Sequence, residues 1–260
     1  MRIALALEYD GRSYCGWQTQ PSGCGVQDAV TLAVSAIAGE AVAVVCAGRT
    51  DTGVHALAQG VHFDTRAERR ATAWTRGVNA RLPSSIAVVQ ATSVPDDFHA
   101  RFDAVERTYS YVLLERPERP GLLAGRVGWH CRRLSIDRMR EAAATLAGTH
   151  DFSAFRSSQC QAKSPVRTLH ELSIRRSGDC IMVDLRANAF LHHMVRNILG
   201  ALVYVGDGRR PVQWLAALLA SRDRTAGAPT FPAAGLYLTG VRYGDNWQPP
   251  SIRRTMAPPP

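Results

Sequence analysis

Apolar residues recur along this chain at two different periods, and the exchange between them decides its fold class. From Ile3 to Tyr9 every second residue (Ile3, Leu5, Leu7, Tyr9) falls on one side, the period of a strand. From Val26 the spacing turns helical: Val26, Ala29, Val30, Ala33, Val34 and Ile37 share one stripe, with Gly39 as a stop. Val42–Ala47, Ala58–Thr65, Ile86–Val94 and Val105–Glu115 read as further strands, and Ala71–Ala80 as a helix closed by Leu82-Pro83. Ser135 caps a predicted helix running to Leu146 and ended by Gly148. Val166–Arg176 and Cys180–Ala187 flank Ser177-Gly178-Asp179, a hairpin signal. The strongest helical stripe runs from Phe190 to Val205; Pro211 opens another helix through Leu219, and Leu236–Tyr243 is a last strand. The pattern is α+β in two similar halves, each a mostly antiparallel or mixed sheet with helices on one face, leaving the other face open to a large ligand. The halves are placed at 1–104 and 105–245. The Pro- and Gly-bearing stretch Arg116–Arg126 is a candidate crossing between them, and 246–260 is expected to be a mobile Pro-rich tail.

No apolar run reaches the roughly 18 residues of a membrane helix, and Met1-Arg2-Ile3-Ala4-Leu5 leads straight into a strand pattern without a secretory leader. The expected location is cytoplasmic. The six cysteines (15, 24, 46, 131, 160 and 180) contain no CxxC pair, so a zinc site is not expected and reduced thiols are. The 260 residues carry 31 Lys plus Arg against 22 Asp plus Glu, a net charge of +9, and Lys163 is the sole lysine. An excess of spread-out arginine points to a polyanionic partner, most often nucleic acid, held on a wide folded surface.

Three segments combine residue types suited to chemistry. Gly48-Arg49-Thr50-Asp51-Thr52-Gly53-Val54-His55-Ala56 lies between two strands, and its glycines let the backbone turn tightly and bring a carboxylate to a strand end. Read plainly it is a turn in which Asp51 accepts from nearby amides; read functionally, Asp51 is a reactive carboxylate with Arg49 or another arginine as its electrostatic partner. In Arg107-Thr108-Tyr109-Ser110-Tyr111 the two tyrosines face the same side, as core aromatics or as a phenol that stacks on a base. In Asn188 to Gly200, His192 and Arg196 are placed on one helix face and His193 and Asn197 on another. The adjacent histidines point about 100° apart on a helix, a poor metal pair, and a half-buried cation there needs a counter-charge, for which Asp51 is the candidate.

Taken together these segments resemble the tRNA pseudouridine synthase A family. Gly48–Ala56 is similar to its signature around the catalytic aspartate, and Phe98-His99-Ala100-Arg101-Phe102 with Arg107-Thr108-Tyr109 to its second motif. Phe190–Gly200 and Gly235-Leu236-Tyr237-Leu238 resemble the third and last, and Glu8-Tyr9-Asp10-Gly11, Gly16-Trp17-Gln18 and Val26-Gln27 the opening. Asn188 stands where many members carry His. The resemblance implies a central RNA-binding cleft and an isomerase converting uridine to pseudouridine at positions 38, 39 and 40 of the tRNA anticodon stem-loop. It implies a homodimer, with no metal and no organic cofactor. It makes Asp51 the catalytic carboxylate, Tyr109 the ring that stacks on uracil, and Arg196 the cation that holds Asp51 ionised and aimed. Arg49 then helps fill the space of the flipped base, and Leu238 packs beside that base. A non-catalytic tRNA-binding protein is the alternative, and a glycosidase lacks the second acid it needs near Asp51.

Overall fold

A computed structural model describes residues 1–244 and 252–254, so most of the predicted tail at 246–260 lies outside the described residues. The strands are β1 (Arg2–Tyr9), β2 (Val45–Cys46), β3 (His55–Asp64), β4 (Ile86–Val94), β5 (Ala104–Glu115), β6 (Gly128–His130), β7 (Gly148–Asp151), β8 (Val166–Ser177), β9 (Cys180–Ala187), β10 (Leu236–Tyr243) and β11 (Ile252–Arg253). The α-helices are α1 (Val26–Ala38), α2 (Ile136–Ala144), α3 (Met194–Gly206) and α4 (Trp214–Ser221). Among the described residues no helix is long and apolar enough to cross a membrane.

The chain forms two compact units. The first is Met1–Arg107 plus the described residues from Tyr237 on; the second is Thr108–Leu236. The boundary thus falls inside β5, and β10 belongs to the first unit because it pairs in parallel with β3, Tyr237 opposite His55 and Leu238 opposite Ala56.

In the first unit the strand order is β4-β1-β3-β10. β1 lies antiparallel to both neighbours, Arg2 opposite Asp64 of β3 and opposite Val94 of β4. Residues at both parities of β1 are buried, because this central strand is covered on both faces. α1 ends where Gly39 takes φ 76°, the left-handed conformation that glycine adopts without a Cβ penalty. The predicted helix after Ala71 is present but wound as a π-helix over Ala73–Gly77, and its Trp74 packs edge-on against Phe63 at 5.2 Å. The predicted strand at Val42–Ala47 shrinks to the two residues of β2 that pair with β3. At the chain's end β11 pairs antiparallel with β10, and Arg254 bonds Glu8 at 2.6 Å.

In the second unit the order is β5-β9-β8-β7, with β6 parallel to β5. The β8–β9 hairpin closes at Ser177 opposite Cys180. α2, α3 and α4 pack on one another, with α2 against β8. Met139, Leu146, Ile198, Leu202 and Leu215 are fully buried there. Ser135 caps α2 as expected, accepting from the Arg138 amide. α3 starts four residues later than the apolar stripe suggests, because His193 takes φ 64° and serves as its N-cap. His192 and His193 therefore both precede the helical turns, and the expected shared helix faces, His192 with Arg196 and His193 with Asn197, are corrected.

Cys15 and Cys24 are joined in a disulfide, which corrects the expectation that every thiol is reduced. The loop between them folds back on itself, the Cys15 amide donating to the Cys24 carbonyl at 2.9 Å, and this brings the two sulfurs together. Cys46, Cys131, Cys160 and Cys180 are free.

Candidate active site

The carboxylate of Asp51 stands on the loop from Ala47 to Val54, between β2 and β3, and is half-buried. Nearly every backbone carbonyl leading to it is held from outside the loop. The Arg107 guanidinium donates to Ala47 O at 2.9 Å while also bonding the carbonyls of Arg101 and Ala104. Gln59, fully buried in β3, donates through Nε2 to Gly48 O at 2.6 Å. The Trp17 amide donates to Thr50 O at 2.9 Å. Gly16 fits under this turn at φ 93°; a Cβ there would lie 2.7 Å from Thr50 O and 3.1 Å from the Asp51 carbonyl carbon. The turn then closes as the Val54 amide donates to Asp51 O at 3.1 Å.

Side chains along the loop divide by face. Thr50 is buried and its Oγ1 lies 2.8 Å from Tyr9 Oη, which Gln59 Nε2 reaches at 3.4 Å. Burial pushes the Tyr9 phenol well up from its ordinary pKa, outweighing the hydrogen bonds from Thr50 and Gln59, so it stays a neutral hydroxyl. Arg49 is exposed. Past the loop, His55 stacks on Tyr237 with ring centroids 4.5 Å apart, and its Nδ1 accepts from the Gly11 amide at 3.2 Å. Leu238 follows on β10, fully buried beside Ala56. The first unit thus brings Asp51, Arg49 and Leu238 to one end of the β3–β10 pair.

The second unit carries the other two predicted residues. Tyr109 is buried in β5 and meets Phe190 edge-on at 5.2 Å. Arg196 lies in the first turn of α3, where a cation opposes the helix dipole, so tertiary contacts must set its place. Its Nε donates to Phe231 O at 2.8 Å and its own carbonyl accepts from the Phe231 amide at 3.2 Å. Asn197, buried next to it, fixes the same segment: Nδ2 donates to Phe155 O at 2.7 Å, and Oδ1 accepts from Thr230 Oγ1 at 2.7 Å and Arg224 Nη2 at 3.1 Å. Phe231 O thus holds the guanidinium at Nε.

Sequence reasoning quoted Tyr9, Trp17 and Arg107 within family-like motifs without giving them this anchoring role, and passed over Gln59. Tyr9, Trp17 and Arg107 each lie more than 30 residues from the loop atom they hold, so no local pattern marks the pairing; the signal for Gln59 was a polar residue in an apolar strand.

The chain is α+β, with an aspartate on an anchored inter-strand loop and an arginine in the first turn of α3. The family model described as tRNA pseudouridine synthase matches residues 5–103 and 142–244. The chain belongs to that family. It is 61% identical over 243 residues to tRNA pseudouridine synthase A of Thiobacillus denitrificans, covering 94% of each chain. It is 59% identical over 244 residues to that of Bordetella petrii, covering 93% of this chain and 91% of the relative. It is 58% identical over 252 residues to that of Chromobacterium violaceum, covering 96% of each.

Proposed function

We propose that this chain isomerises uridine to pseudouridine at positions 38, 39 and 40 in the anticodon stem-loop of tRNA, as a cytoplasmic homodimer. Family membership over both matched stretches is the observation that carries this reading, and the anchored Asp51 loop supports it. The reaction breaks the N1–C1′ bond, turns the uracil and joins C5 to C1′. The C5 proton is lost and N1 gains one, so composition and oxidation state are unchanged and no external electron carrier enters.

Asp51 acts at the sugar, either by adding to C1′ or by helping to remove the C2′ proton. Arg196 keeps the carboxylate ionised and aimed, its own place set by the Nε bond to Phe231 O. Tyr109 supplies the ring against which the uracil rests, backed edge-on by Phe190. Leu238 lends an apolar wall that keeps water from C1′, where hydrolysis would compete. The base is flipped from its stack at a cost of a few kcal/mol, and exposed Arg49 fills the space it leaves. Distributed arginines hold the phosphates, reading A-form shape more than sequence.

The test is incubation with unmodified tRNA followed by mapping of pseudouridine in the anticodon arm. Asp51→Asn keeps tRNA binding and abolishes conversion. Conversion by Asp51→Asn near the wild-type rate overturns the role of Asp51, and absence of conversion by the wild type leaves the non-catalytic RNA-binding alternative.

A further inference from the structure

A side chain of the loop that carries Asp51, that of the adjacent Thr50, ties the loop to the sheet beneath it. Thr50, the residue before Asp51, turns its hydroxyl inward to Tyr9 Oη at 2.8 Å. The three buried groups form a directed chain. Gln59 Nε2 spends one hydrogen on Gly48 O at 2.6 Å and points the other at Tyr9 Oη, 3.4 Å away. A phenol that accepts from Gln59 has its own hydrogen left to donate, and the acceptor within reach is Thr50 Oγ1. The reverse direction would strand the phenolic hydrogen in a buried site.

Resting on the pseudouridine-forming reading, we propose that Thr50, locked by Tyr9 and Gln59, is a positioning residue that sets the direction in which Asp51 presents its carboxylate to the sugar. The neighbouring contacts fit this role. The Trp17 amide fixes the Thr50 carbonyl and Gln59 fixes the Gly48 carbonyl, so the peptide leading to Asp51 is held on both sides of Arg49. The side-chain hydroxyl adds a grip from inside the fold, one that resists rotation of the Thr50–Asp51 segment. Reactions at C1′ tolerate little misplacement of the attacking group. Losing the grip should therefore slow chemistry while leaving RNA binding alone, because neither Thr50 nor Tyr9 is exposed to meet phosphate.

The experiment measures kcat and KM on unmodified tRNA, tRNA affinity and melting temperature for wild type, Thr50→Val, Thr50→Ser, Tyr9→Phe and the Thr50→Val/Tyr9→Phe double variant. Thr50→Val and Tyr9→Phe each lower kcat roughly tenfold or more, with KM and tRNA affinity unchanged. Thr50→Ser restores most of the rate, and the double variant is no slower than the slower single variant because both cut the same link. The proposal is overturned if Thr50→Ser is as slow as Thr50→Val, if the two single losses multiply, or if Tyr9→Phe turns over at the wild-type rate. Should Thr50→Val fail to fold, Tyr9→Phe, which keeps the ring's packing, decides alone. A wild-type protein that binds tRNA and forms no pseudouridine instead overturns the functional reading itself.

Discussion

Replacing Arg176 by Met tests whether a buried ion pair holds the second unit together. Glu115, the last residue of β5, has a side chain 5% exposed. Arg176 of β8 grips it with both ends of its fork, Nη1 to Oε1 and Nη2 to Oε2, each at 2.9 Å. The Leu134 amide adds a third donor at 2.8 Å, and Arg176 Nη2 also donates to Leu134 O at 3.1 Å. The pair therefore joins two strands to the segment leading into α2. Methionine keeps most of the stem and removes the charge and the fork. Glu115 then retains one amide, and Arg133 stands 3.9 Å away on a side chain 83% exposed, too solvated to replace the lost partner. Breaking a buried pair from one side costs about 3–5 kcal/mol, whereas an exposed pair is worth about 0–1 kcal/mol. For a domain of this size that corresponds to a fall in melting temperature on the order of 10 °C.

The pH dependence sharpens the test. Burial pushes the Glu115 pKa up, but the bonds from Arg176 and Leu134 outweigh it and hold the carboxyl below 4.5. A folded-state pKa below the unfolded one contributes stability above pH 4.5 that is lost as pH falls through the lower folded value. In Arg176→Met the burial effect dominates, so the difference from wild type is largest near neutral pH and narrows on acidification as Glu115 takes a proton. Denaturant unfolding from neutral pH down to pH 4 reads both effects. A loss below 1 kcal/mol, or one that does not change with pH, would refute the reasoning and place this pair with ordinary surface bridges.

Other expectations follow from single contacts. A Cβ at Gly60 would clash with Tyr243 Oη but lie 3.4 Å from the next ring atom, so Gly60→Ala should cost about 1–3 kcal/mol and adding Tyr243→Phe should recover most of it in thermal melts. Burial, with the nearby Arg2 and His99, lowers the His62 pKa to about 4, and its Nδ1 accepts from the Ala100 amide at 3.1 Å. An NMR titration should place the His62 midpoint near pH 4, with stability falling as pH drops from 6.5 toward that value; a midpoint above 6 would contradict it. Alkylation of the denatured protein without reductant should label four cysteines and with reductant six, given the Cys15–Cys24 bridge. Six labels in both would remove the bridge.

Elements with a long, unambiguous period were legible in the chain: β4 and β10 fall on the predicted residues, and α1 stops at Gly39 as its spacing requires. Short elements were not. β6 and β7 hold three and four residues, and Gly148-Thr149-His150-Asp151 has no apolar alternation at all; it is a strand because β8 offers it hydrogen bonds. The start of α3 was misjudged because Phe190 and Leu191 continue the apolar stripe while His193, in a left-handed conformation, breaks the backbone ahead of it. In the candidate site, Asp51 announced itself through two flanking glycines. What holds it did not, since Tyr9 and Thr50 lie 41 residues apart and meet only once β1 and β3 have paired.

The return of β10 to the first unit sets an order on biosynthesis. Thr108–Leu236 is one uninterrupted stretch, made in full before the strand that completes the first unit. Met1–Arg107 emerges earlier yet finishes later, because the strand that pairs beside His55 and Ala56 follows the whole of Thr108–Leu236 in the chain. The stacked Tyr237 and His55 rings close the base of the aspartate loop only then. A polypeptide released short of Tyr237 would carry every polar residue of the Asp51 loop and still lack the floor on which that loop is built.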